Sequence, residues 1–140
     1  MKRKASAQWK GSLKDGNGVF SADSGAFTNL PYSFGRRFED QPGTNPEELI
    51  AAAHASCYAM ALSSELGKLG ITPVSIDSSA TVTFEKTDAG FTITESHLDV
   101  IGKLSEPDAA KWQQATEAAK RGCPISRVLN TKITLDAKLA

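Results

Sequence analysis

Apolar and polar residues alternate along residues 4–11, where Ala5, Ala7 and Trp9 take every second position, and this period predicts a strand. The turn-forming "KDGNG" follows, and "VFSADSG" reads as the returning arm of a hairpin. Residues 27–43, "FTNLPYSFGRRFEDQPG", keep neither period and read as a loop with at most one short strand, delivering Arg36 and Arg37 to a helix. That helix is well signposted, with Asn45 as N-cap, Pro46 at the first helical position and Glu48 at the third, a capping box with Asn in place of Ser or Thr. From Leu49 to Leu62 it is apolar nearly all round, which predicts a central element covered on several sides, and Gly67 and Gly70 are expected to end it. Val74, Ile76, Ala80, Val82 and Phe84 then alternate with polar residues. "TDAG" turns the chain into a similar run from Phe91 to Ile101, predicting a long antiparallel hairpin with one buried face. Ser105 with Asp108 opens a second helix, Gly122 interrupts it, Pro124 restarts it through Leu129, and Lys132–Leu139 forms a last strand. The order ββ(β)αββααβ lacks the strict alternation of a doubly wound sheet and predicts an α+β fold, an antiparallel sheet around helices.

A length of 140 residues suits one domain spanning 1–140. With 16 basic and 16 acidic side chains, neither disorder nor a nucleic-acid-binding field is expected. The start, "MKRKASAQWKGS", has no apolar stretch of the signal-peptide kind, and no run approaches a membrane span, so the cytoplasm is the expected compartment and no membrane partner is expected. In a reducing compartment, two cysteines are catalytic, redox-active or simply buried rather than a structural staple.

The two thiols sit in different settings. Cys57 lies more than two turns inside its helix, where the helix dipole has faded and apolar surroundings raise a thiol pKa, so it becomes a nucleophile only if a cation reaches it. Cys123 precedes Pro124 and is expected at the N-cap of a short helix, where free backbone N–H groups favour an anion. A purely structural reading, in which both thiols only pack, stands beside the redox one. His54, three residues before Cys57, also permits a Cys-His pair, but no third group or oxyanion hole accompanies it, and a hydrogen-bonded, partly buried histidine is the simpler reading. His97 reads as a surface residue. No zinc-site spacing, phosphate loop or dinucleotide fingerprint occurs, so neither metal nor cofactor is expected.

Taken together, "TNPEELIAAAHASC", the upstream "RRFE", the downstream "RGCPISRVL" and the closing "KITLDAKL" resemble the OsmC/Ohr family, and its osmotically inducible OsmC branch rather than the Ohr branch. The resemblance covers essentially the whole chain. It implies a thiol peroxidase acting on organic hydroperoxides in the stress response, built as an intertwined homodimer with the sheet wrapped around the helix. It further implies that Cys57 matches the peroxidatic cysteine and Cys123 the resolving one, the two closing a disulfide. Arg37 matches the thiolate-activating arginine, with Arg36 nearby, and Glu47 matches the glutamate that holds it; Glu48 keeps the cap. The reductant implied is an external dithiol, of the lipoyl type more than thioredoxin. An apolar wall of Leu49, Ile50, Met60, Phe34, Phe38 and Tyr58 would favour an organic tail over hydrogen peroxide.

On a continuous helix, Glu47 and Cys57 stand about 15 Å apart along the axis, too far to share one compact site. A carboxylate orienting the arginine beside the thiolate is therefore expected from a second chain across a two-fold axis. The competing readings are a thiol-dependent reductase with another oxidant and a hydrophobe-binding stress protein whose cysteines only pack.

Overall fold

The computed structural model describes all 140 residues. The chain divides into two compact units, Met1–Leu49 and Ile50–Ala140. No helix is long and apolar enough to cross a membrane.

The first unit carries a three-stranded antiparallel sheet in the order β1-β2-β3, formed by β1 (Ala5–Lys10), β2 (Asn17–Ala22) and β3 (Leu30–Tyr32). The hairpin pairs Ala5 with Ala22 and Lys10 with Asn17, as the alternation and the turn residues predict. Arg36 and Arg37 depart from the expectation of a loop. They lie on a short helix, α1 (Phe34–Phe38). Ser33 caps it by accepting a hydrogen bond from the Arg36 amide, and Phe34 and Phe38, four residues apart, stack with ring centroids 4.8 Å apart. Cap and aromatic pair together hold a helix too short to show a period.

Helix α2 (Pro46–Lys68) starts where the cap residues predict, the Glu48 amide donating to Asn45 Oδ1 at 2.9 Å. The return half of the capping box is absent, because the Glu48 carboxylate instead accepts from Thr44 Oγ1 at 2.8 Å. Gly67 falls inside the last turn, and the stop is made at Gly70, whose φ of +78° suits glycine.

In the second unit, β4 (Pro73–Thr87) and β5 (Gly90–Leu104) pair antiparallel, and β6 (Lys132–Leu139) joins the far side of β5. β6 runs parallel to β5, against the expectation of a wholly antiparallel sheet. The connection explains it: α3 (Ala109–Gly122) and α4 (Pro124–Val128) intervene, and a helical crossover returns the chain in the direction it left. Val74 was expected inward with Ile76 but is exposed, because an irregularity between Pro73 and Ser75 takes it out of phase.

The core of this unit joins Tyr58, Leu62 and Leu66 of α2, Leu98, Val100 and Leu104 of β5, and Trp112, Ala115 and Ala119 of α3, with Cys123 completing the α3 face. Gly102 of β5 lies under the Trp112 ring, where any Cβ would collide with it. α2 is covered on several sides within the chain, as its composition predicts, but not on all. Ala52, Ala53, Ser56, Met60 and Ser63 are exposed along one face, Met60 at 77%. Leu62 is fully buried, and Leu62→Ala is expected to lower stability by about 2–5 kcal/mol, read as a lower urea midpoint at unchanged m.

Candidate active site

Within the first unit, α1 turns Arg37 toward the start of α2 and Arg36 away from it. Arg37 forks onto Glu47, Nη2 donating to Oε1 at 2.8 Å and Nε to the same oxygen at 3.1 Å, with Nε also 3.3 Å from Oε2. Glu47 is buried, and the Arg37 side chain is 36% exposed. A charge-assisted fork of this kind fixes the guanidinium plane. Its cation also lies over the Phe38 ring, 5.2 Å from the centroid. Arg36 is spent on the loop, its Nε donating to the Pro42 carbonyl at 3.0 Å while its own carbonyl accepts from Asn45 Nδ2. Beside Arg37 opens a cavity of about 230 Å³ lined by Trp9, Leu13, Tyr32, Phe34 and Phe38. A guanidinium at the edge of an aromatic hollow suits a ligand with one polar end and an apolar tail.

Within the second unit, both cysteines are free thiols, and Cys123 Sγ lies 3.1 Å from Cys57 Sγ. Bonding would need an approach of only about 1 Å more. Cys123 is fully buried and Cys57 partly so. Burial pushes the Cys57 thiol above its ordinary pKa, a hydrogen bond from the Ile125 backbone N–H pulls it back, and the neighbouring Cys123 raises it again. The free amides of α4 were expected to serve Cys123, its N-cap residue. Cys123 makes no side-chain cap hydrogen bond.

His54 is not a base for Cys57. It is completely buried, with Nδ1 2.6 Å from Ser96 Oγ and Nε2 2.7 Å from Ser126 Oγ, so both ring nitrogens are taken. Burial pushes its pKa below the usual histidine value and keeps the ring neutral. Tyr58, expected on the substrate wall, is instead core, its hydroxyl donating to the Thr116 carbonyl at 3.0 Å. His97 is half-buried and bridges β5 to β6 through Thr134 Oγ1 at 2.6 Å.

The sequence reading missed the Ile125 amide and the two serines. Ser126 lies inside the noted "RGCPISRVL", but nothing local links Ser96 to a histidine 42 residues away.

Comparison with known proteins follows the same lines. Residues 38–138 match the family described as OsmC-like protein. The Peroxiredoxin OsmC of Escherichia coli (strain K12) is 48% identical over 137 residues, 98% of this chain and 96% of that one. The organic hydroperoxide resistance protein OhrB of Bacillus subtilis (strain 168) is 32% identical over 102 residues, 72% of this chain and 71% of its own. The crystal structure of Bacillus subtilis OhrB superposes with a TM-score of 0.71 at 24% identity, covering 98% of each chain. An OsmC-like protein from Vibrio cholerae gives 0.77 at 18% identity, covering 98% of this chain and 99% of that one. At those identities the two structures speak for a shared fold alone.

Proposed function

The chain belongs to the OsmC-like family, and from that premise we propose that it is a cysteine-based peroxidase that reduces organic hydroperoxides to alcohols. The observation that carries the reading is the pair of free thiols 3.1 Å apart, one of them partly exposed. The Cys57 thiolate attacks the terminal peroxide oxygen; the O–O bond breaks, the alkoxide takes a proton and leaves as alcohol, and Cys57 becomes a sulfenic acid. Cys123 sulfur then attacks Cys57 sulfur, an S–S bond replaces the S–O bond, and the departing hydroxide leaves as water. An external dithiol, of the lipoyl type by family resemblance, reduces the disulfide by exchange in a reducing cytoplasm. A thiol count before and after one equivalent of cumene hydroperoxide tests this: two thiols lost per chain supports it, and none lost overturns it.

Arg37 is the cation assigned to the Cys57 thiolate, and Glu47 holds it by the fork described above. The aromatic hollow beside Arg37 supports an organic tail on the substrate. Because Glu47 and Cys57 are ten residues apart on α2, about 15 Å along its axis, we assign the two pairs of each site to different chains of an intertwined homodimer. The exposed, mostly small-residue face of α2 supports a second copy as its cover.

Arg37→Ala is expected to shift the Cys57 thiolate titration to higher pH, followed by ultraviolet absorbance. An opposite charge within about 4–6 Å favours an anion by roughly ten- to a thousand-fold, so reaction at neutral pH should slow by about ten-fold or more. Arg36→Ala, which loses only a loop contact, should leave the titration in place.

A further inference from the structure

His54 takes no part in the chemistry above, yet it is one of the few fully buried polar side chains. A leucine or phenylalanine would fill the same space. What the imidazole adds is direction: two hydrogen bonds leaving opposite sides of one rigid ring, to Ser96 on β5 and Ser126 on α4. In the neutral ring one nitrogen donates and the other accepts, and each serine hydroxyl can take the complementary part, so the chain is fully satisfied.

The element this reaches is small, and besides the histidine contact it is held by Ile125, partly buried against the core, and by its fully buried N-cap Cys123. α4 is five residues long and none of its own residues is fully buried. It nevertheless carries the group that attends Cys57: Cys123, 3.1 Å away, is its N-cap. Ser126 is the next residue after Ile125. On α2, His54 stands one turn before Cys57 and on the same face. The thiol and the clamp therefore share one rigid helix, and both grip α4.

We propose that His54 is a positioning residue for the thiol pair: steadied by Ser96, it holds α4 through Ser126 and so keeps Cys123 Sγ, at the N-cap of α4, on Cys57 Sγ. The proposal rests on the Cys57–Cys123 reading and concerns its closing step, in which the S–S bond forms as the S–O bond of the sulfenic acid breaks and water leaves. Bringing two reacting groups together is sensitive to displacements near 1 Å, which can cost about 100-fold in rate.

Ser126→Ala tests it, with Ser126→Thr as the variant that keeps the hydroxyl. After one equivalent of cumene hydroperoxide, dimedone trapping and mass spectrometry separate sulfenic acid from disulfide. Ser126→Ala should oxidise at Cys57, accumulate the trapped sulfenic acid and close about ten-fold more slowly or worse, while wild type and Ser126→Thr close fully. A glutathione redox buffer reads the same clamp without peroxide: the Cys57–Cys123 disulfide should become about ten-fold or more harder to form in Ser126→Ala. If wild type ignores the hydroperoxide but this loss persists, the peroxidase reading fails and the clamp stands. Closure of Ser126→Ala at the wild-type level in both assays overturns the clamp, and so does an equal loss in Ser126→Ala and Ser126→Thr, which would assign the effect to packing.

Discussion

Cys57→Ser is expected to abolish peroxide consumption, with turnover falling to background, a loss of at least about a thousand-fold. A serine hydroxyl ionises far less readily than a thiol and cannot be carried to a stable sulfenic-acid equivalent, so neither half of the cycle survives. No other side chain can substitute: Cys123 is fully buried, and both nitrogens of His54 are held by serines. Cys123→Ser should behave differently. It keeps Cys57, the Ile125 amide and the His54 clamp, so it should consume one equivalent of hydroperoxide and stall as a sulfenic acid that dimedone traps. The pair of variants is decisive because the two cysteines are given different tasks. Turnover of Cys57→Ser near the wild-type rate would remove the mechanism, and failure of Cys123→Ser to react even once would remove the division of labour.

The second large effect concerns how the site is assembled. Cys57→Ser chains and chains carrying Arg37→Ala with Glu47→Ala should each be nearly inactive alone. Co-refolded, they should recover up to half the wild-type activity per dimer, because one of the two sites then draws Cys57 and Cys123 from one chain and an intact Arg37–Glu47 fork from the other. The expectation stands on two pairings, the fork at 2.8 Å and the thiols at 3.1 Å, each made within its own chain. It also stands on the ten residues of helix between Glu47 and Cys57. Purified heterodimers without recovered activity would show that each site is complete within a single chain.

Much of this was legible because the signals are local. Alternation and turn residues set the β1–β2 hairpin and the strand at 132–139, since a strand's side chains alternate whatever it packs against. Asn45 and Pro46 marked the start of α2, because capping is decided by a residue's own reach to the next amides. α1 was legible in principle in "SFGRRF", through its serine cap and its spaced phenylalanines, but five residues are too few to outweigh the turn formers around them.

What the sequence determined by itself was therefore where elements begin and end, and which residue types stand at each position. Only the tertiary structure decided which of those residues meet. Glu47 and Glu48 are adjacent and chemically alike, yet one accepts Arg37 and the other Thr44, because successive helical residues point about 100° apart and only one faces α1. β6 runs parallel to β5 because two helices carry the chain back before it pairs. Cys57 meets a thiol 66 residues away, and His54 joins serines 42 residues and 72 residues away in the chain. Contacts between residues so far apart in sequence leave no period or cap to read; they are fixed only once the burial of α2, β5 and α3 against one another has oriented the side chains between them.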